Sequence, residues 1–138
     1  MLNQYIQRFL SRLAVISDTA SKAAQCLDAY LKAYREALKD GRSVCLCVAM
    51  SADRASLSDE AVEALTEFQI KSEGWLRFVF EAGRSDGSIK AVHAPAEEAA
   101  ATLALVEGAQ LVSRVTRDAS IFDQATAVLR GRLYKRER

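Results

Sequence analysis

Two cysteines that lie one residue apart, Cys45 and Cys47, are the side chains of this sequence best suited to chemistry, and Cys26 is the third thiol. Neighbouring thiols can hold a metal ion, form a redox pair, or pack as small apolar side chains. On a helix, positions two apart differ by about 200°, and on a strand their side chains lie roughly 7 Å apart on one face. Neither regular structure directs both sulfurs at one ion, so we predict no metal site.

Two interpretations of the pair remain open, namely packing and thiol reactivity. A buried cysteine commonly packs as a small apolar side chain or lines a pocket. A reactive thiol needs a lowered pKa, which the nearby Arg42 and the start of a short helix near Val44 would give to Cys45. Cys47 lies three residues before Met50 on the same helical face, which predicts that both line a pocket wall.

Other residue types that often carry chemistry have simpler explanations here. His93, the single histidine, has no acidic or nucleophilic neighbour in sequence, so we expect a loop position. The acidic pairs Asp59/Glu60 and Glu97/Glu98 fall at predicted helix starts, where the helix dipole favours negative charge. The chain contains no phosphate-binding glycine loop, nucleophile elbow or metal-binding helix motif. We therefore predict no catalytic residue, no metal and no cofactor, and we expect that the protein is not an enzyme.

Length and composition indicate a single globular domain over 1–138. Of the 138 residues, 50% are hydrophobic and 27% are charged, and a domain of this size needs no disulfide or metal for stability. The sequence has neither an apolar run of membrane-spanning length nor a secretory signal, so we expect a cytoplasmic protein without membrane association. The net charge is +1, with five cations among the last nine residues. We predict no basic face for nucleic acid in the rest of the chain.

Hydrophobic periodicity predicts an all-α fold of about six helices, because one proline and six glycines leave few breaks and no strand alternation occurs. The first predicted helix covers 2–16, the second begins after caps at 17–19 and ends at Gly41, and a short third covers 44–54. A long fourth helix runs from Ser56 or Ser58 to Gly83. The fifth runs from Pro95 to Thr116, and the sixth is capped by Asp118 or Ser120.

The fifth predicted helix, from Pro95 to Thr116, is apolar around nearly its whole circumference. An ordinary surface helix has a single apolar stripe, so this helix needs cover on more than one side. The rest of a small domain covers one side, and a second subunit is the natural cover for the other. We therefore expect a homodimer. Gly108 lies in the middle of this helix and is interpreted as a packing residue.

Polar and aromatic side chains set into apolar helical faces are the best candidates for a small-molecule site, since such pockets are mostly apolar with a few placed polar groups. The alternative is a filled core in which Glu107 or Gln110 forms hydrogen bonds across a subunit interface. The predicted pocket residues are Phe9, Cys26, Tyr30, Cys47, Met50, Phe68, Ser72, Trp75 and Gln110, with Gln69 and Glu107 as further polar candidates.

The order of the helices and several short motifs resemble the C-terminal effector-binding and dimerisation domain of TetR-family transcriptional regulators. The motifs are Gly41 with Cys45-Leu46-Cys47, Leu57-Ser58 before the long helix, Trp75-Leu76, the stretch from Gly83 to Gly87, and the stretch from Val106 to Val115. The resemblance implies a repressor whose effector is a small apolar or amphipathic molecule. It also implies that the last two helices of each subunit form a four-helix dimer interface, for which we predict Leu103, Val106, Gly108, Phe122, Ala125 and Leu129.

Regulators of this family begin with a helix-turn-helix head, and no such motif precedes Leu2. Operator DNA would then be bound only through an N-terminal domain that this chain does not include. We expect either a fragment of a longer regulator or a natural form without the head. The alternatives are a helical-bundle enzyme or small-molecule-binding protein without a regulatory role, and a thiol-based sensor of electrophiles, with Cys45 as the possible reactive thiol, as in some similar regulators.

Overall fold

Six α-helices account for most of the computed structural model, which describes residues 1–39, 41 and 44–134. They are α1 (Leu2–Thr19), α2 (Ala23–Ala37), α3 (Leu46–Ser51), α4 (Asp59–Asp86), α5 (Pro95–Thr116) and α6 (Ser120–Arg130), with a 3₁₀ turn at Arg54–Ser56. Within those described ranges no strand forms, and one isolated β-bridge joins Ile89 to Leu133. The predicted all-α fold of about six helices is confirmed. Arg42 and the basic residues of 135–138 lie outside the described residues.

Local signals fix both ends of α4 and the start of α5. The Ser58 side chain accepts a hydrogen bond from the Ala61 N–H at 3.1 Å and so caps α4. Pro95 occupies the start of α5, as predicted. The predicted end of the long helix at Gly83 is wrong, because the helix continues to Asp86 and stops at Gly87, which has the left-handed backbone conformation with φ +76°.

The predicted start of α2 lies too early in the chain. The residues at 17–19, which were expected to cap α2, form the last turn of α1 instead. The first free amides of α2 are satisfied from the far end of α4, since the Ala23 N–H donates to an Asp86 carboxylate oxygen at 2.9 Å and the Ala24 N–H donates to the Ser88 hydroxyl at 2.9 Å. The Gln25 side chain adds a local cap, because its oxygen accepts the Ser21 N–H at 2.8 Å and the Lys22 N–H at 3.4 Å.

The long helix α4 lies at the centre of the bundle and packs against α1, α2, α3 and α5, while α5 also contacts α2, α3 and α6. The largest fully buried side chains include Tyr30 and Tyr34 of α2, Phe68 and Phe80 of α4, and Phe122 of α6. These aromatic side chains hold α1 and α2 at a fixed distance from α4. None of the described helices is both long and apolar enough to cross a lipid bilayer.

Two glycines on α4 provide a matched test of this packing. A Cβ atom on Gly83 would lie 2.8 Å from Cβ and 2.5 Å from Cδ1 of Ile89, which is closer than real contacts allow, whereas a Cβ on Gly74 would meet no atom within 4 Å. We expect Gly83→Ala to lower the free energy of unfolding by about 1–3 kcal/mol through overpacking. We expect Gly74→Ala to raise it by about 0.5–1 kcal/mol through helix propensity. Urea denaturation followed by circular dichroism measures both, and equal effects at the two positions would contradict this packing.

Candidate functional site

The Cys-Leu-Cys stretch begins α3 in a way that regular helix geometry did not predict. Cys45 precedes the helix with φ −54° and ψ 137°, and only Leu46 and Cys47 are helical. The helical rotation of about 200° between positions two apart therefore does not apply to this pair. The Cys45 and Cys47 side chains lie close enough for each to shift the pKa of the other, and both cysteines are buried.

Tyr5 of α1 forms the second contact of the Cys45 thiol. Its hydroxyl donates to Cys45 Sγ at 3.2 Å and accepts a hydrogen bond from the Leu46 N–H, also at 3.2 Å. The hydroxyl therefore joins the first helix of the chain to the beginning of α3. Tyr5 was not among the residues predicted for the pocket, although it lies one turn before Phe9 on the same face of α1.

Gln110 of α5 holds the backbone on the other side of Cys45. Its side-chain oxygen accepts the Cys45 N–H at 3.1 Å, and its side-chain nitrogen donates to the Tyr34 carbonyl at 2.8 Å. The Tyr34 carbonyl would normally receive the Leu38 N–H, which bonds to the Arg35 carbonyl in a tighter last turn instead. Gln110 is fully buried. Its side-chain amide provides a hydrogen-bond partner for the Cys45 N–H and for the Tyr34 carbonyl.

These contacts move the pKa values of the two thiols in opposite directions. The hydrogen bond from Cys47, joined by that from the Tyr5 hydroxyl, overcomes the opposing effect of burial and lowers the pKa of Cys45 to about 6. The pKa of Cys47 is raised by its hydrogen bond to Cys45 and by burial. Burial and the hydrogen bond to Cys45 also raise the pKa of Tyr5. Cys45 is therefore the thiol of the pair that ionises first, and the contribution predicted for Arg42 falls outside the described residues.

A cavity of about 240 Å³ opens between α1 and α2 and reaches Cys45. Its walls combine apolar and polar side chains, namely Tyr5, Phe9 and Arg12 from α1, Ala33, Tyr34, Glu36 and Ala37 from α2, and Cys45. On the solvent side, Arg12 and Glu36 form an exposed ion pair at 3.1 Å. This volume lies just below the roughly 300–1,000 Å³ of pockets for drug-sized ligands, so the cavity suits a smaller molecule.

A line of aromatic rings leads from this cavity into the core. The ring centroids of Phe9 and Tyr34 are 5.4 Å apart, those of Phe9 and Phe68 are 5.5 Å apart, and those of Tyr30 and Tyr34 are 4.9 Å apart. Trp75 stacks on Tyr30 at 5.8 Å. The wall behind the cavity is therefore a rigid aromatic layer, with edge-to-face contacts at the front and a stacked pair at the back.

Several polar atoms in and behind this layer are buried without a hydrogen-bond partner among the described residues. They are the hydroxyls of Tyr30, Tyr34, Ser72 and Ser113, the Gln69 side-chain oxygen and the Trp75 indole nitrogen. The hydroxyls of Tyr30 and Tyr34 lie near each other without the geometry of a hydrogen bond. An unsatisfied buried polar group costs about 1–3 kcal/mol, so each of these atoms is a place where a water molecule or a ligand could supply a partner.

Glu107 contributes a partly buried carboxylate close to Tyr30 and Tyr34. Its side-chain oxygen accepts a hydrogen bond from the Gln69 side-chain nitrogen at 2.8 Å. Burial raises the pKa of Glu107, against the opposing effect of Gln69. The two residues join α4 to α5 within the domain, so the predicted alternative of a Glu107 bond across a subunit interface is not needed to explain this side chain.

The residues predicted for the pocket fall into three groups. Phe9 lines the cavity. Tyr30, Cys47, Phe68 and Gln110 lie directly behind it, because each contacts a residue of its wall. Ser72 and Trp75 lie deeper, Met50 is partly buried on α3, and Cys26 lies near the start of α2, where burial and the Asp86 charge raise its pKa. Among the cavity residues that the sequence missed, Tyr5 and Arg12 follow the helical spacing of Phe9.

The residues predicted for the dimer interface are also divided by their burial. Val106, Phe122 and Leu129 belong to the core of one subunit, and this burial accounts for their apolar character without a partner. Leu103 and Ala125 are partly buried, and Gly108 is exposed. The exposed apolar side chains of α5 and α6 include Leu111, Val112, Val115 and Val128.

The remaining candidates have structural surroundings. His93 is exposed, and its backbone carbonyl accepts a hydrogen bond from Arg84 at 3.4 Å. Asp59/Glu60 and Glu97 lie in the first turns of α4 and α5, and Glu98 forms an ion pair with Arg132. In the part of the chain that the structure describes, no group of three His, Cys, Asp or Glu side chains is arranged to hold a metal ion.

The bundle as a whole is similar to solved structures of bacterial regulators. A TetR-family transcriptional regulator from Agrobacterium tumefaciens matches with a TM-score of 0.87 at 23% sequence identity, over 97% of this chain and 71% of that chain. The reduced form of NemR from E. coli matches with a TM-score of 0.81 at 21% identity, over 99% and 72% of the two chains. The regulatory protein TetR from Rhodobacter sphaeroides matches with a TM-score of 0.83 at 19% identity, over 96% and 72%.

The likeness lies in the fold, since the sequence matches no protein-family model and no curated protein. The match extends over nearly the whole of this chain and covers about seven-tenths of each regulator. Proteins at such low identity share a helical architecture without sharing a site. The chain therefore has the all-helical fold of the TetR-family transcriptional regulators to which it is similar.

Proposed function

We propose that this chain is the effector-binding and dimerisation domain of a TetR-like repressor, and that a small amphipathic molecule binds in the cavity between α1 and α2. The observation that carries the proposal is the makeup of the cavity wall. It combines apolar side chains such as Phe9 and Ala33 with the polar side chains of Tyr5, Arg12 and Glu36. A small ligand with an apolar body and one polar group would fill the apolar part of this wall and hydrogen-bond to its polar part.

The ligand class follows from the shape and chemistry of the wall. The apolar part consists of Phe9, Ala33 and Ala37, and the polar groups are Tyr5, Tyr34 and the Arg12/Glu36 ion pair near solvent. A small aromatic or branched apolar body with one hydroxyl or carbonyl group matches this division. A highly charged ligand does not, because the cation and the anion at the entrance already neutralise each other.

The dimer part of the proposal rests on an apolar stripe along the exposed side of α5 and α6. On α5 the exposed small and apolar residues recur at helical spacing, and on α6 a second row faces solvent at least in part. The stripe consists of Ala101, Ala104, Gly108, Leu111, Val112 and Val115 on α5 and Ile121, Ala125 and Val128 on α6. A continuous apolar stripe on two packed helices is typical of an interaction surface. Two copies packed through it give a four-helix interface.

Gln110 supplies the physical link between the two parts. It contacts the cavity residues Cys45 and Tyr34 from the inner face of α5, while Gly108 and Val112 lie on the outer face. The cavity wall takes a different position in each dimer geometry. An effector with a higher affinity for one of these positions would shift the population toward the matching dimer geometry, to the extent of the difference in affinity. DNA binding would respond through a head outside this chain. A repressor of this kind works in the cytoplasm, which is part of the proposal.

A second candidate function is sensing of electrophiles by Cys45. The specific observation in its favour is that this thiol lines the cavity and has a pKa lowered to about 6 by Cys47 and Tyr5. A thiolate that faces a cavity can attack a small electrophile that enters it.

The dimer proposal predicts that a charge in the stripe separates the subunits. Val112 is 50% exposed within the stripe, and Val15 is 59% exposed on α1, outside it. We expect Val112→Asp to give a monomer, because its carboxylate would be desolvated against the partner, and Val15→Asp to remain a dimer. Light scattering at micromolar concentration distinguishes the two states. A monomeric unmodified chain, or equal behaviour of both variants, would show that the stripe is not the interface.

The cavity proposal predicts that filling the cavity removes ligand binding. Ala33 lines the cavity, whereas Ala14 is exposed on α1. A panel of small alkylphenols and aromatic ketones, tested by native mass spectrometry, would identify compounds that bind. We expect Ala33→Leu to weaken such binding by at least about tenfold, or about 1.4 kcal/mol, and Ala14→Leu to leave it unchanged, as measured by calorimetry. A compound that binds Ala33→Leu with full affinity would place its site elsewhere.

The thiol proposal predicts a pH profile. In a Cys26→Ala background, the native-state alkylation rate of Cys45 by iodoacetamide should rise through a midpoint near pH 6 and level off above it, because the thiolate is the nucleophile. We expect Tyr5→Phe to move this midpoint upward, since the hydrogen bond that favours the thiolate is lost. Tyr134→Phe, at an exposed tyrosine, serves as the control. If neither thiol of the pair is alkylated at pH 8, the second candidate function is wrong.

A further inference from the structure

The contact between the two thiols has a consequence beyond ligand binding and alkylation. We propose that Cys45 and Cys47 form a reversible disulfide when a small organic hydroperoxide enters the cavity between α1 and α2, with Cys45 as the thiol that is oxidised first and Cys47 as the thiol that resolves it. The inference rests on the cavity assigned above to the effector, and it assigns an oxidant to that site.

The backbone places the two cysteines within disulfide range. The distance between Cα atoms two residues apart depends on the backbone of the residue between them, and Leu46 is helical. Helix geometry then sets the Cα atoms of Cys45 and Cys47 about 5.5 Å apart, close to the commonest separation in disulfides. Because Cys45 itself is not helical, the helical rotation of about 200° does not separate the two side chains. They lie close enough for each to shift the pKa of the other.

Cys26 is not placed to compete as the resolving thiol. It lies near the start of α2, where its surroundings include Asp86 of α4. Cys45 instead lies beyond the other end of α2, in contact with Tyr5 and Gln110. From Cys26 to the end of α2 at Ala37 the helix spans about 16 Å at 1.5 Å per residue, so the disulfide that the domain can form without rearrangement is the one between Cys45 and Cys47.

The cavity gives the oxidant access to Cys45 and a place to bind. Cys45 and Tyr5 line the same cavity, and the Tyr5 hydroxyl lies 3.2 Å from the Cys45 sulfur. That hydroxyl can donate to an oxygen of the incoming peroxide. Phe9, Ala33 and Ala37 form the apolar part of the wall, which favours a hydroperoxide with a small alkyl or aryl group over hydrogen peroxide.

The chemistry has two steps that balance. The Cys45 thiolate attacks the terminal peroxide oxygen, the O–O bond breaks, and the alkoxide takes the proton released by the thiol and leaves as an alcohol. The sulfur, now oxidised, is a sulfenic acid. The Cys47 sulfur then attacks the Cys45 sulfur, the S–O bond breaks, and the hydroxide leaves as water with the Cys47 proton. In total, two thiols are oxidised and one hydroperoxide is reduced to an alcohol and water.

The electrostatics of the pair assign these separate roles. The pKa of Cys45 is lowered by the Cys47 hydrogen bond, while the pKa of Cys47 is raised by the same bond and by burial. Cys47 therefore stays protonated while Cys45 carries the charge. Once Cys45 becomes a neutral sulfenic acid, the negative charge that suppressed ionisation of Cys47 is gone, and Cys47 becomes the better nucleophile.

The test uses the whole chain with Cys26→Ala, treated with tert-butyl hydroperoxide and analysed by mass spectrometry. We expect the intact mass to fall by two hydrogen atoms, the peptide map to join Cys45 to Cys47, and dithiothreitol to reverse the change. With Cys47→Ser, we expect a sulfenic acid at Cys45 that dimedone traps. With Cys45→Ser, we expect Cys47 to stay reduced. Thermal melts of each variant, with Cys47→Ala as a second version, check that the fold is retained.

Three outcomes would overturn the proposal, namely no loss of mass, a disulfide between two chains, or oxidation of Cys47 in Cys45→Ser. The alkylation experiment distinguishes a failure of the disulfide proposal from a failure of the proposed function. If Cys45 is alkylated near pH 6 but gives no disulfide with the hydroperoxide, only the disulfide is wrong. If the alkylphenols and ketones bind while both thiols stay inert, the effector site stands and the thiol chemistry is wrong.

Discussion

The arrangement around the candidate site depends on one buried amide, the side chain of Gln110. It accepts the N–H of Cys45 and donates to the carbonyl of Tyr34. Both backbone groups need an outside partner, because Cys45 precedes α3 and the Leu38 N–H bonds to a different carbonyl. A buried backbone group without a partner costs about 1–3 kcal/mol. One side chain thus holds the end of α2 and the start of α3 against α5, and the cavity wall lies where that attachment puts it.

The same helix carries the apolar stripe proposed as the dimer interface. Positions two apart on a helix lie on nearly opposite faces, so Gln110 faces the interior while Gly108 and Val112 face outward. A Cβ on Gly108 would meet no atom within 4 Å, so packing inside the subunit does not require glycine there. The fold thus brings the cavity wall and the outer face of α5 within one helix diameter. Energetic coupling between an effector in the cavity and a partner subunit therefore has to cross only the width of α5.

The sequence predicted those features that depend on short-range signals, and it missed those that depend on tertiary contacts. Ser58 and Pro95 mark helix starts by their own chemistry, and both were predicted correctly. The start of α2 was wrong because α1 continues through Thr19, and part of the cap of α2 comes from Asp86 at the far end of α4. Most of the residues that line the cavity were not predicted. The position of the cavity depends on the distance between α1 and α2, which the packing of the aromatic layer sets. Periodicity shows that Tyr34 faces inward, but it does not show which inward-facing residues border an empty space.

The two cysteines show most clearly how one irregular residue changes the chemistry of a site. In a continuous helix their sulfurs would point apart, and each thiol would titrate alone. Because the backbone of Cys45 is not helical, the two side chains lie close together, and their pKa values move in opposite directions. That backbone conformation is fixed by the hydrogen bond from the Cys45 N–H to Gln110. The proximity of the thiols, the lowered pKa of Cys45 and the position of the cavity wall therefore share a single cause, and a change in α5 that moved Gln110 would alter all three together.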